Sequence, residues 1–313
     1  MKKIKVIFMG TTDFGVPALE NLVSAEYQVV AAICQPDRPN KRGNKVEILP
    51  LKAKALELGI TVLQPEKIKD PQFVEQLKSF HADIFIVAAY GQILSKEILE
   101  MPPLGALNIH GSLLPEYRGA APIQRAIIDG KEKTGVTIMQ MGEGMDTGDM
   151  LSKAECPITE TTTFQSLYRE LSVLGGCLLI ETLKKVVAGS LKPVPQNDSL
   201  ATYAEKILKD TGHINWVTTS REILYLINGT DPAPGGYVMY ADEKIKCFHP
   251  EIMTWEGQEK PGTILIADDR VGLVVKTQDG ALKIGSVQAP GKKRMDATVF
   301  LRGKKMEIGT VLN

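Results

Sequence analysis

Apolar residues in this chain first come in short compact runs and later in alternating ones. Residues 4–9, residues 29–34 and the run ADIFIVAAYG at 82–91 each have the length and composition of a buried strand closed by turn residues. Between them lie segments with helical spacing: GTTDFGVPALENLV with Pro17 near its start, then 51–58 and 71–80, with a short strand at 61–63. Residues 107–109 read as a further strand, and IQRAIIDG behind Pro122 reads as a helix. Strands follow at 136–141 and 150–158, the second returning after a glycine-rich turn. A long helix spans 163–188, and Leu167, Leu171, Leu174 and Leu178 recur on one face as its expected core stripe. This alternation predicts an α/β fold with a doubly wound, mostly parallel sheet.

Near residue 190 the texture changes. GSLKPVPQNDSLATYAEKI is rich in proline, serine and polar residues and reads as a linker. Beyond it, a short helical stretch around 220–228 gives way to alternating or β-branched runs broken by DD, DG and PG turns, the pattern of a small all-β barrel. The expected plan is a first domain over 1–189, a linker over 190–207 and a second domain over 208–313.

Composition narrows the function classes. Lysine plus arginine number 37 and aspartate plus glutamate 37, so any nucleic-acid contact must rest on local patches and not on net charge. The four cysteines lie far apart with no C-x-x-C spacing, which argues against a zinc site or a disulfide framework and for a reducing cytoplasm. MKKIKVIFMG passes directly from basic residues into a strand, too short an apolar run for a signal peptide. No segment reaches the roughly 18 apolar residues a membrane span requires.

Candidate chemistry concentrates between residues 107 and 149. Asn108 and His110 share one face of their strand, because strand side chains alternate. The turn GEGMDTGD supplies Asp146, so the ends of two neighbouring strands are expected to deliver an amide, an imidazole and a carboxylate to one edge of the sheet. These groups suit the attack of an uncharged nucleophile on a carbonyl. Amide and imidazole N–H groups stabilise the growing oxyanion, and the carboxylate supports the imidazole or takes the proton. No serine or cysteine is placed as a nucleophile, so direct transfer fits better than a covalent intermediate. GTTDFG at the first strand-to-helix turn is not a dinucleotide fingerprint, and a tight turn alone would explain its glycines.

The loop over 35–50 holds Arg38, Lys41, Arg42 and Lys45, and a solvated basic loop would share that composition. Lys292, Lys293 and Arg294 in GKKRM suit phosphates as well as they suit a solvated face. Of the four histidines only His110 sits in a constellation. His81 and His249 read as surface residues, and His213 falls near the linker.

NIHGSLLPEYRGAAPIQRAI and GVTIMQMGEGMDTGDML together resemble the signature of the folate-dependent formyltransferases. FMGTTDFGVPAL, CQPDRPNKRG, ADIFIVAAYGQILS and TYAEKI extend the resemblance along the whole chain, toward members of that family that act on methionyl initiator tRNA. The resemblance implies a Rossmann-like first domain, an OB-like second one, and Asn108, His110 and Asp146 as catalytic residues. It implies 10-formyltetrahydrofolate as formyl donor, with the pterin against Ala88, Ala89 and Tyr90, against Ser112, Leu113, Leu114 and Pro115, and against Met141, Gly142 and Gly144. It also makes the basic loop, Arg42 above all, and Lys206 of the linker tRNA contacts. No metal and no membrane are implied, and a monomer is expected. An amino-sugar nucleotide formyltransferase would share the three catalytic residues, yet the basic loop would have no role there. A formyltetrahydrofolate hydrolase would bring an N-terminal regulatory domain, and a silent tRNA-binding module would not need the intact set.

Overall fold

The computed structural model describes residues 3–39 and 47–312. β1 (Lys5–Gly10) opens the chain, with Val6, Ile7, Phe8 and Met9 fully buried. It is followed by α1 (Val16–Ser24), β2 (Gln28–Ile33), α2 (Pro50–Glu57), β3 (Val62–Leu63), α3 (Pro71–Ser79) and β4 (Ile84–Ala88). All three helices carry proline in the first turn, where a missing N–H leaves no bond unmade. Asp70 caps α3 by accepting from the amides of Gln72 and Phe73. The short α4 (Lys96–Leu99) leads to β5 (Ala106–His110), and then come β6 (Arg118–Gly119), α5 (Pro122–Ile128), β7 (Lys133–Gln140), β8 (Met150–Pro157) and the long α6 (Phe164–Val187).

Seven strands form one sheet in the order β3-β2-β1-β4-β5-β7-β8. β3, β2, β1, β4 and β5 are parallel neighbours, and the order reverses at β1. Ligands bind at the carboxyl edge beside such a reversal. β7 breaks the pattern. It runs antiparallel to β5, with Leu107 opposite Gln140 and His110 opposite Thr137. The expected delivery of all three site groups from strand ends at one edge is therefore corrected. β7 ends beside the start of β5, and the 141–149 loop must turn back to bring Asp146 to the other two groups.

Under the sheet, α6 buries a somewhat different stripe from the expected one. Leu167, Leu171, Leu179 and Leu183 are fully buried, whereas Leu174 and Leu178 are only half-buried. The rotation has a cause at Gly175 and Gly176. A Cβ on Gly175 would lie 2.8 Å from Ile109 Cγ2, and one on Gly176 would lie 3.0 Å from the backbone of Pro17 and Ala18. The helix thus touches β5 and α1 directly where a side chain would hold it off, and it does so under the residue between Asn108 and His110.

The chain divides into two compact units. The first comprises Met1–Gly119, Thr134–Cys156 and Tyr168–Tyr203. The second comprises Ala120–Lys133, Pro157–Leu167 and Ala204–Asn313. β9 (Tyr203–Ala204) and α7 (Ser220–Thr230) are followed by β10 (Gly236–Tyr240), β11 (Glu243–Met253), β12 (Ile264–Asp268), β13 (Gly272–Lys276), β14 (Ala281–Gln288), β15 (Met295–Asp296) and α8 (Ala297–Gly303). The antiparallel sheet runs β10-β11-β14-β13-β12, with β15 added to β14. Its end strands are covered: Tyr237 exchanges backbone bonds with Gly212 and Ile214, and the 309–312 segment pairs with Gly262 and Ile264. Thr219 and Glu222 close a capping box on α7, which buries Ile223, Leu224 and Ile227 against the strands. α8 was not expected from the sequence. Its seven residues hold only three buried side chains, too short a pattern to show a period.

Gly175→Leu should destabilise the protein by about 2 kcal/mol or more through overpacking against Ile109. Urea unfolding followed by circular dichroism would show a lowered midpoint, and an unchanged midpoint would contradict the close packing of α6 on β5.

Candidate active site

Asn108, His110 and Asp146 converge. The pleat of β5 puts Asn108 and His110 on one face, as their spacing predicts, and His110 is buried at 5% exposure. His110 Nδ1 faces Asp146 Oδ2 at 3.7 Å, and Asn108 Nδ2 lies 3.5 Å from Asp146 Oδ1. The strongest partner of the carboxylate is a backbone group, the Gly119 amide, which donates to Oδ2 at 2.8 Å. Asp146 itself takes a left-handed backbone conformation at φ 54°, unusual for a residue other than glycine.

The second nitrogen of His110 decides its tautomer. Nε2 lies 3.0 Å from the Tyr117 carbonyl, and since a carbonyl only accepts, Nε2 carries the proton. Nδ1 is then the nitrogen turned toward Asp146. Tyr117 also stands in the left-handed region, at φ 60°.

Residues missed by the sequence reading complete the frame. Gln196, within the segment expected as a linker, donates from Nε2 to the carbonyls of Asp146 and Gly148, each at 2.7 Å. Arg118 is buried at 2% exposure and donates from Nε to Gln196 Oε1 at 3.0 Å and from Nη2 to Asp198 Oδ1 at 2.7 Å. Thr202 accepts from the Tyr117 amide at 2.8 Å. Nothing in the composition of a proline- and serine-rich stretch separates such a docked segment from a solvated one. A charged residue that must be buried, Arg118, is visible only in the fold.

The expected folate contacts fall into two groups. Ala88 ends β4, where Val87 is paired with Asn108, and Tyr90 lies two residues beyond; both are buried, and Ala89 between them is exposed, at φ 48°. Ser112 and Leu114 are fully buried and their polar groups are already used. Thr137 Oγ1 donates to the Ser112 carbonyl at 2.7 Å and accepts from the Leu114 amide at 3.1 Å, while Lys153 donates to the Leu114 carbonyl. The buried Ser112 and Leu114 therefore hold the loop in shape, and Leu113 and Pro115 are its half-buried members. Met141 is half-buried, and Gly142 and Gly144 are exposed ahead of Asp146. Tyr90 buries a hydroxyl with no hydrogen-bond partner among the described residues, and burial pushes its pKa up.

The basic candidates are scattered. Arg38 is exposed at the start of the 35–50 loop, while Lys41, Arg42 and Lys45 lie outside the described residues. At the base of that loop Lys52 pairs with Asp37, and Gln64 Nε2 donates to Asp37 Oδ1 at 3.0 Å. The hydrogen bond from Lys52 holds the Asp37 carboxyl below the ordinary carboxylate range. In the second unit Lys206, Lys292 and Lys293 are exposed. Arg294 is engaged within that unit: its Nη1 donates to Asp231 Oδ2 at 3.2 Å, its Nη2 pairs with Oδ1, and its guanidinium lies 3.5 Å from the centre of the Phe248 ring. Among the described residues no group of three or more potential ligands could hold a metal, and no helix is long and apolar enough to cross a membrane.

A mostly parallel sheet with this constellation near its carboxyl edge and a second, antiparallel unit fits a group-transfer protein, and comparison with known proteins agrees. The family model described as formyl transferase matches residues 2–183, that for the formyl transferase C-terminal domain matches residues 206–305, and the chain belongs to this family. A relative from Ruminiclostridium cellulolyticum, 44% identical and covering 99% of both chains, is named methionyl-tRNA formyltransferase. So is one from Alkaliphilus metalliredigens, 46% identical over 99% of this chain and 98% of its own. Among solved structures, the sugar 3N-formyl transferase WlaRD, determined with dTDP and 5-N-formyl-THF, shares 20% identity over 94% of this chain and 100% of its own, with a TM-score of 0.66. HypX from Aquifex aeolicus, determined with tetrahydrofolic acid, shares 18% over 96% of this chain and 47% of its own, also at 0.66. At such identities the likeness is one of fold.

Arg294→Met should lower stability by about 3 kcal/mol, because it leaves Asp231, only 5% exposed, without its countercharge. Lys293→Ala should leave the unfolding midpoint unchanged; equal effects in chemical denaturation would refute the distinction. Lys52→Met should remove a contribution that depends on pH. With its folded pKa depressed, Asp37 stabilises the fold above its ordinary value of 3.8, and that stability is lost as pH falls through the lower folded value. The stability gap between wild type and Lys52→Met should accordingly be larger at pH 7 than at pH 3, and a constant gap would contradict the pairing.

Proposed function

We propose that the protein transfers the formyl group of 10-formyltetrahydrofolate to the α-amino group of methionine carried on initiator tRNA. The observation that carries the donor chemistry is the convergence of Asn108, His110 and Asp146, two on one strand face and the third on a loop turned back toward them. Support for the acceptor comes from relatives that match this chain over nearly their whole length and bear the methionyl-tRNA name.

In this reading the neutral amine adds to the formyl carbon, and negative charge grows on the formyl oxygen. Asn108 donates an amide N–H to that oxygen. His110, its Nε2 proton donated to the Tyr117 carbonyl, serves the reaction through Nδ1, taking up there the proton that Asp146 collects from the amine, stabilising the oxyanion and passing that proton to N10 of the folate. Asp146 orients the imidazole and accepts the proton that the amine releases, directly or through one water. A C–N bond to methionine forms and the C–N10 bond breaks; the amine loses one proton and N10 gains one, so the exchange needs no further reactant.

Of the folate contacts expected from sequence, Met141, Leu113 and Pro115 are half-buried, and the exposed ones are Ala89, Gly142 and Gly144. The pterin would meet backbone edges there that carry little or no side chain to keep it off. Ser112, Leu113, Leu114 and Pro115 shape the wall, with Ala88 and Tyr90 behind it. For tRNA, Arg38, Lys41, Arg42 and Lys45 of the loop, together with Lys206, Lys292 and Lys293, offer cations to phosphates, while Arg294 contributes through the loop it braces. Residues 1–189 would carry the formyl chemistry together with the basic loop, and 208–313 would add further tRNA contacts. Free cysteines and an acceptor used in translation support a cytoplasmic protein, and a monomer is the expected state.

Formyl transfer to methionylated initiator tRNA, measured with wild type, His110→Ala and Arg42→Leu, tests this reading. His110→Ala should lower turnover on the order of 10²-fold or more, consistent with loss of an oxyanion donor. Arg42→Leu should raise the KM for tRNA about tenfold, with donor binding unchanged. Donor cleavage by wild type without modification of the tRNA would sink the acceptor assignment.

A further inference from the structure

Residues 194–202 cross the candidate site as a strap. Val194 and Met150 exchange two backbone hydrogen bonds of 2.9 Å, which fixes the start of the crossing. Gln196 then spends both faces of its amide. Nε2 holds the carbonyls of Asp146 and Gly148, and Oε1 accepts from Arg118. A guanidinium only donates and a carbonyl only accepts, so the amide satisfies its partners in one orientation. Asp198 meets the buried charge of Arg118, and Thr202 closes the crossing with three bonds. Its hydroxyl accepts from the Tyr117 amide at 2.8 Å, its carbonyl accepts from the Arg118 amide at 2.9 Å, and its amide donates to the Pro115 carbonyl at 3.3 Å.

Two of the residues that these bonds reach have an unusual backbone. Asp146 and Tyr117 both hold left-handed backbone conformations, at φ 54° and 60°, which disfavour a residue with a Cβ. Such conformations persist where neighbouring groups over-determine them. At Asp146 the group is Gln196, on the carbonyl. At Tyr117 it is Thr202, on the amide, while the carbonyl of the same residue receives His110 Nε2. One short segment therefore sets the backbone beneath the carboxylate and the backbone that aims the imidazole.

We propose that Gln196 and Thr202 are positioning residues, acting through the backbones of Asp146 and Tyr117 to aim the Asp146 carboxylate and the His110 ring for formyl transfer. The inference rests on the reading of Asn108, His110 and Asp146 as the reacting groups. Neither residue touches the reacting atoms, so the loss on substitution is in turnover and not in substrate binding.

The test compares wild type, Gln196→Met, Thr202→Val and Thr202→Ser in steady-state formyl transfer with both substrates varied. Ring ¹⁵N shifts of His110 are measured on the same proteins, assigned with His110→Gln. Gln196→Met and Thr202→Val should each lower kcat by 10-fold or more, with the KM values for folate and tRNA within about 3-fold of wild type. Thr202→Ser keeps the hydroxyl and should recover most of the turnover. Wild type should show the proton on Nε2, and Thr202→Val should show a shifted tautomer balance. Turnover within 2-fold of wild type together with unchanged ring shifts would overturn the proposal, as would a fall in kcat that only tracks the loss of folded protein. If wild type transfers no formyl group and Thr202→Val still shifts the ring signals, the positioning of His110 stands and the formyl-transfer reading falls. An inactive wild type with unchanged ring signals removes both.

Discussion

A carbonyl oxygen has no proton to give, and the contact of 3.0 Å between the Tyr117 carbonyl and His110 Nε2 therefore orders much of what surrounds it. It selects the imidazole tautomer and turns Nδ1 toward Asp146. Tyr117 must stand in a left-handed conformation for its carbonyl to reach the ring, and the backbone then passes through Arg118 to Gly119, whose amide binds Asp146. Imidazole and carboxylate are thus tied to opposite ends of the same three residues. The two side-chain contacts of Asp146, 3.5 and 3.7 Å, are longer than its bond of 2.8 Å to that amide. Backbone geometry sets the site, and the side chains share what it leaves.

The sheet supplies the reference frame. β5 is held between parallel β4 and antiparallel β7, and α6 lies against Ile109 with only the hydrogen of Gly175 between them. A strand wedged in this way has little freedom to shift, which suits a strand carrying two reacting groups. The antiparallel turn of β7 has a further consequence. A loop that must fold back over its own strand is short of internal support, and the polar groups of its backbone need partners from elsewhere. Gln196 meets that need at two carbonyls.

Charge is distributed with equal economy. With 37 cationic and 37 acidic residues the chain has no net field to draw in a polyanion. Several of its cations serve the fold: Arg118 is buried on Asp198, Arg294 is paired with a nearly buried Asp231, and Lys52 is tied to Asp37. Among the basic residues left to solvent are Arg38, Lys206, Lys292 and Lys293, all in loops and turns.

Much of this protein was legible in the order of its residues. Compact apolar runs and proline-led helices gave the alternation of the first unit, and short alternating runs marked the antiparallel character of the second, because periodicity is local and burial follows it. Asn108 and His110 were readable as partners for the same reason, since two residues apart on a strand is one face. Asp146 was visible as a carboxylate in a glycine-rich turn, though not the path by which it arrives. Strand direction, the glycine contact that rotates the α6 stripe, and the docking of 194–202 were decided only by the tertiary structure. They depend on which distant groups find each other: Ile109 with Gly175, Arg118 with Asp198, Gln196 with the Asp146 backbone. A polar stretch has the same composition whether its amides face water or face a reacting group, and long-range packing alone makes the difference.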